Sequence, residues 1–133
     1  MNETLSLEAL KKALAQLEKG IEQAGLNPGD ELMRDGVIQR FEYSMDICWK
    51  TIQRYLKTVA GVQDSAIRSK KDLFREAARL ALVQSAEAWI GHYEARNVTS
   101  HSYNARMAQQ VFERAQLFLV DAKSLLAELQ NDA

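Results

Sequence analysis

Apolar residues recur at intervals of three and four along almost the whole chain, and no stretch alternates with period two. That pattern disfavours a sheet and requires helices, each with one face to bury. Leu7, Leu10, Leu14, Leu17 and Ile21 form a narrow seam on a first helix. The turn Asn27-Pro28-Gly29-Asp30 ends it, since proline and glycine both oppose helix continuation. A longer stripe follows through Ile38, Phe41, Met45, Cys48, Ile52, Tyr55 and Val59, widened by Val37, Trp49 and Leu56. Gly61 and the polar Gln63-Asp64-Ser65 close it. Ser69 reads as the cap of a short helix with Asp72 in its first turn and Leu73, Phe74, Ala77 and Ala78 as its apolar face. Leu82, Ala86, Trp89, Ile90 and Tyr93 mark the next helix. The last is the most regular: Val111, Ala115, Phe118, Ala122, Leu125 and Leu129, flanked by Phe112, Leu119 and Leu126.

The chain of 133 residues contains a single proline and is 47% hydrophobic. We therefore expect one domain, residues 1–133, folded as an all-α, antiparallel up-and-down bundle of four main helices plus a short one. The stripes on the second and last helices are wider than one bundle seam needs, which fits either deeper burial or a helix-packed homodimer. Lys and Arg number 17 against 18 Asp and Glu, a net charge of −1. That balance argues against a protein that coats nucleic acid with a basic face, but it leaves room for a local phosphate site. The single cysteine, Cys48, has no internal disulfide partner, so a reducing cytoplasm is the expected compartment. Met1 to Lys12 is amphipathic without an apolar signal core, and no segment approaches membrane-spanning length.

The least generic segment runs from Glu94 to Asn104, where Asn, Thr and Ser interrupt the helical pattern. Arg96 and His101 are five apart, about 140° around a continuous helix, so they converge only if the helix ends or kinks between them. Asn97 to Ser100 is composed to allow this, and a new helix starting near Ser102 or Asn104 would bring free amide groups close by. A guanidinium, an imidazole and a helix N-terminus together suit a phosphate. RNA carries its own nucleophile, the 2′-hydroxyl, so its cleavage needs an acid or base near neutrality and a cation. His101 fits the first role and Arg96 the second. One histidine supplies only the base or the acid; a two-fold dimer would supply both. The bland alternative is an Arg and His serving as a cap, a surface pair or dipole partners.

The string Arg96-Asn97-Val98-Thr99-Ser100-His101-Ser102-Tyr103 matches the Arg-x4-His-x-Tyr signature of HEPN-domain proteins of the HepT type. Leu32 to Tyr43 with Trp49-Lys50 resembles the long second helix of that family, and Ala86-Glu87-Ala88-Trp89 leading to Asn97 resembles its third major helix. The resemblance covers nearly the whole chain. It implies a HEPN-like bundle that forms a homodimer whose Arg96 and His101 line a composite cleft, cutting RNA without a metal or other cofactor. It also implies a toxin role, with a minimal nucleotidyltransferase partner as antitoxin transferring AMP to Tyr103. Asn97, Ser100 and Asn104 are the expected supporting, phosphate-binding residues. AMP on Tyr103 would place bulk and negative charge where an RNA phosphate must sit. The family is also labelled nucleotidyltransferase substrate-binding protein, which leaves a second expectation: a binding subunit without activity of its own.

Several other residues carry blander expectations. Arg34, Arg40 and Arg106 are candidates to make the cleft positive, while Arg34-Asp35 and Arg40-Glu42 read equally as solvated or ion-paired groups. His92 reads as a surface or helix-packing residue, since no further ligand has metal spacing. Cys48 reads as a small buried hydrophobe, and Trp49, Trp89, Phe41 and Phe118 as core or dimer contacts.

Overall fold

The computed structural model describes residues 6–98 and 104–131, all in helices, turns or their connections. Five α-helices follow in order: α1 Glu8–Leu26, α2 Glu31–Arg54, α3 Lys70–Arg79, α4 Ala86–Val98 and α5 Ala105–Asn131. They form the expected helical bundle, with α2 touching all four of the others. The seams read from the periodicity line its core. Leu10, Leu14 and Leu17 of α1 meet Val37, Ile38, Phe41, Met45, Cys48 and Ile52 of α2, and Val111 through Leu129 of α5 completes the core. Phe118 lies at its centre, edge-on to Phe41 at 5.2 Å and to Trp89 at 5.7 Å between ring centroids, a favoured aromatic geometry.

Polar contacts fix the helices' relative register. Arg40 donates from Nη1 to the Gln16 carbonyl at 2.7 Å, and Ser44, fully buried, donates from Oγ to the Ala13 carbonyl at 3.5 Å. Helix starts follow local capping rules. Asp30 accepts the Met33 amide and begins α2; Ser69 accepts the Asp72 amide and begins α3, as its sequence suggests.

Two expectations need correction. Val59 is not part of the buried α2 stripe but half-exposed, because Tyr55–Val59 forms a π-helical turn in which the Ala60 amide reaches the Tyr55 carbonyl. The wider turn changes the angular step per residue and rotates Val59 out of the seam. Leu82 is buried, yet it precedes α4 rather than belonging to it. α3 ends with the Leu82 amide bonded to the Ala77 carbonyl and the Ala81 amide to Ala78, the paired bonds of a Schellman motif. Leu82 is the apolar residue that closes such a motif, and Ala81 takes the left-handed conformation (φ 61°) usually given to glycine. Ser85, accepting the Ala88 amide, then starts α4.

Candidate functional site

Arg96 occupies the last turn of α4, as described to Val98, and points toward α2. Its Nε donates to Asp46 Oδ1 at 3.0 Å and its Nη2 to Asp46 Oδ2 at 3.1 Å, a two-pronged pair across 50 residues of sequence. This geometry holds a guanidinium plane in one orientation, as a single-point lysine contact would not. The Arg96 pKa is raised chiefly by its hydrogen bond to Asp46; burial opposes this, while the Asp46, Glu42 and Tyr93 charges act with the bond. Arg96 is therefore a fixed cation at every working pH. Asp46 was not legible as a partner, although one signal existed: an acid set directly after Met45 and two before Cys48, inside an otherwise apolar stripe.

Asn97, the next residue, is half-buried and lines a groove between α3 and α4. Asn104 is exposed and caps α5, its Oδ1 accepting the Met107 amide at 2.9 Å. Of the two cap candidates, Asn104 holds the role. His101, Tyr103, Ser100 and the alternative cap Ser102 lie outside the described residues. Their segment connects the last described turn of α4 to the first turn of α5. Arg96 and Asn97 are still helical, so any break that brings Arg96 and His101 together falls after Val98.

The other arginines have separate surroundings. Arg40 donates from one guanidinium nitrogen to the α1 backbone at Gln16. Arg34, in the first turns of α2, approaches Asp35 at 3.9 Å and lines a cavity of about 280 Å³ with Pro28, Gln109 and Phe112. Arg106 is exposed in the first turn of α5, two residues past the Asn104 cap. Cys48 is fully buried, and burial pushes its thiol far above the ordinary value, so it is no nucleophile. Trp89, Phe41 and Phe118 are core residues; Trp49 is half-buried beneath the Lys70 ammonium, 3.9 Å from its ring centroid.

His92 is a helix-packing residue, only 1% exposed, and belongs to a polar network that periodicity does not reveal. Arg114 of α5 donates from Nε to His92 Nδ1 at 2.9 Å and from Nη2 to the Ala88 carbonyl at 2.8 Å. Because a guanidinium only donates, Nδ1 must be the acceptor, and the ring's Nε2–H donates to Asp121 Oδ2 at 2.6 Å. His92 is thereby locked as one neutral tautomer. Burial lowers its pKa first, assisted by the Arg114 charge and opposed by the bond and charge of Asp121. The network joins α4 to α5 and so sets where both ends of the α4–α5 connection lie. Among the described residues, no group of three or more His, Cys, Asp or Glu is arranged to hold a metal ion, and no described helix is long and apolar enough to cross a membrane.

Three comparisons bear on this arrangement. The sequence model of the family described as nucleotidyltransferase substrate binding protein like matches residues 5–131. The "probable ribonuclease HepT" of Haemophilus influenzae is 29% identical over 140 residues, covering 98% of this chain and 96% of that protein. A solved H. influenzae structure, described as showing the fold of a substrate-binding domain of a nucleotidyltransferase, superposes with a TM-score of 0.83 at 28% identity, over 94% of this chain and 99% of that one. A crystal structure of a Thermus thermophilus protein gives 0.77 at 32% identity, over 90% and 98%. The resemblance read from the Arg96–Tyr103 string thus extends over nearly the whole chain, and the chain belongs to the nucleotidyltransferase substrate-binding-protein-like family, with a "probable ribonuclease HepT" among its relatives.

Proposed function

We propose that this protein is a HepT-like endoribonuclease, the toxin of a pair whose antitoxin is a minimal nucleotidyltransferase. The observation that carries the reading is the placement of Arg96: an oriented guanidinium at the end of α4, one short connection from the capped start of α5. In the reaction, the ribose 2′-oxygen attacks the adjacent phosphorus, the bond to the 5′-oxygen breaks, and a 2′,3′-cyclic phosphate forms. One imidazole removes the 2′-hydroxyl proton and a second protonates the departing 5′-oxygen. Arg96 offsets the extra negative charge on the phosphoryl oxygens. His101 supplies the imidazole, and a two-fold homodimer supplies the second copy. The exposed apolar side chains Leu32 and Tyr43 on α2 and Leu117 and Val120 on α5, 58–83% accessible, support such a dimer, since they lie on the two helices whose stripes are wider than one bundle seam needs. Asn97, Ser100 and Asn104 assist phosphate binding, and AMP transferred to Tyr103 blocks the cleft.

The experiment is cleavage of single-stranded RNA by the purified chain in the presence of a chelator. Arg96→Ala and His101→Ala each lower kcat by about 10²–10³-fold; parent-like cleavage by either variant removes the proposal. Mass spectrometry after co-expression with the nucleotidyltransferase tests the switch: a gain of one or more AMP units on Tyr103 is expected, and an unmodified Tyr103 in a functional pair counts against it.

A second reading has specific support. The family description and the H. influenzae structure both speak of substrate binding, and the Arg96–Asp46 pair also serves as a helix tie. In that case the chain presents a substrate to the nucleotidyltransferase and cuts nothing. Growth inhibition on expression, lost in Arg96→Ala, supports the nuclease; equal growth with parent and variant supports the binding subunit.

A further inference from the structure

A groove of about 370 Å³ opens between the start of α3 and the second half of α4. Its floor is apolar: Phe74 of α3 with Ile90 and Tyr93 of α4, the Phe74 and Tyr93 rings 6.1 Å apart and tilted by 55°. Its rim carries Lys70 and Lys71 on one side and Glu94 and Asn97 on the other, a net positive charge. Lys70 is held in place by the faces of two rings, 3.9 Å from the Trp49 centroid and 5.9 Å from that of Tyr93. Lys71 is exposed and has no carboxylate partner among the described residues. The groove is also continuous with the candidate site. Asn97, which lines it, directly follows Arg96 on α4, and Tyr93, one helical turn before Arg96, is close enough to interact with it electrostatically.

An aromatic platform beside unpaired ammonium groups is the arrangement that single-stranded nucleic acid uses. The base stacks, because every base has a π-face, and the phosphate takes the charge. The size falls within the range of small-ligand sites. A duplex would not fit, since its bases are stacked on each other and its backbone is too broad for a slot between two helices. We infer that the α3–α4 groove is a subsite for one unpaired RNA nucleotide beside the scissile phosphate, with the base against the half-buried Tyr93 ring, which the fully buried Phe74 backs from behind, and a backbone phosphate at Lys71 and Lys70. The inference rests on the RNA reading above and deepens it. It assigns Tyr93 and Lys71 a role in substrate binding, apart from the chemistry at Arg96 and His101.

The test separates binding from cleavage. A fluorescent oligouridine with every 2′-oxygen methylated lacks the nucleophile, so its anisotropy with the full-length protein reads binding alone; the unmethylated strand reads cleavage. Lys71→Glu, an exposed position safe for folding, is expected to weaken binding roughly tenfold at low salt and to reduce the salt dependence by about one ion. Tyr93→Leu is expected to weaken it by about 5- to 100-fold, and Tyr93→Phe, which keeps the ring, to restore it. Parent-like binding by both Lys71→Glu and Tyr93→Leu, in a chain that still cleaves RNA, overturns the subsite and leaves the nuclease intact. Loss of binding in both variants, when the parent binds but does not cleave, supports the groove and removes the nuclease. Failure of the parent to bind the strand overturns the groove. So does Lys71→Glu that loses the nucleotidyltransferase while binding RNA as before, which would make this face a protein contact.

Discussion

Gly91, in the middle of α4, offers a test in which the structure reverses the usual sign of a substitution. At an ordinary helical position, glycine to alanine stabilises by about 0.8–1 kcal/mol. Here a Cβ would overlap Arg114 Nη2 and come within 2.8 Å of its Cζ and 3.1 Å of its Nη1. A flexible side chain would simply swing away, but this one is tied along one edge, through Nε to His92 Nδ1 at 2.9 Å and through Nη2 to the Ala88 carbonyl at 2.8 Å. Withdrawal would leave Nδ1 of a histidine only 1% exposed without a donor, an unsatisfied buried group that costs about 1–3 kcal/mol. Set against the gain in helix propensity, Gly91→Ala is expected to destabilise by up to about 2 kcal/mol. Urea unfolding followed by helical circular dichroism gives the number, and the melting temperature should fall by up to roughly 8 °C. The decisive comparison uses Arg114→Ala as background. With the guanidinium gone the clash is gone, and Gly91→Ala should then stabilise by about 1 kcal/mol. If Gly91→Ala stabilises the parent as it does the Arg114→Ala protein, the close approach is not real and the reasoning fails.

Other consequences can be measured alongside. Asp46→Ala frees Arg96 from its two-pronged partner; RNA cleavage should fall in kcat by about 10- to 100-fold while RNA binding holds or tightens, because a carboxylate has left an anion site. A matched fall in binding and no change in kcat would refute a positioning role. The lowered His92 pKa means that below its ordinary 6.5 the unfolded chain takes up a proton the native protein resists, so stability falls as pH drops from 6.5 toward the lowered native value. His92→Gln, which can still accept from Arg114 and donate to Asp121, should flatten the dependence of the urea midpoint on pH in that window. Ala81→Gly relieves a left-handed conformation at the end of α3 and should stabilise by about 0.5–1 kcal/mol in the same assay. Asn104→Ala removes the α5 cap and should cost about 1 kcal/mol; a null result would mean that another residue caps the helix.

Of the candidate site, the sequence made legible the parts that depend on near neighbours. Asn104 is recognisable as a cap because a short polar side chain before a helical stripe satisfies an amide three residues on. The reading failed where a local pattern had two structural meanings. Leu82 follows the spacing of α4 yet serves the end of α3, and Val59 follows the stripe of α2 until a π turn shifts its phase. Arg40 reads from sequence as a solvated or ion-paired group, whereas its Nη1 donates to a backbone carbonyl 24 residues away, a partner that no local pattern announces.

The sequence by itself therefore determined the helices, their buried faces and the Asn104 cap that starts the last of them, because helical period and capping act over three to five residues. Tertiary structure alone decided which charges meet. Asp46 reaches Arg96 across 50 residues, and Arg114 and Asp121 reach His92 across 22 and 29. Each pairing depends on how two helices are rotated and offset when their apolar faces interlock. Many arrangements of those faces suit the same stripes, and only the packed bundle selects one in which Arg96 is oriented, His92 is held neutral and a groove is left open between α3 and α4.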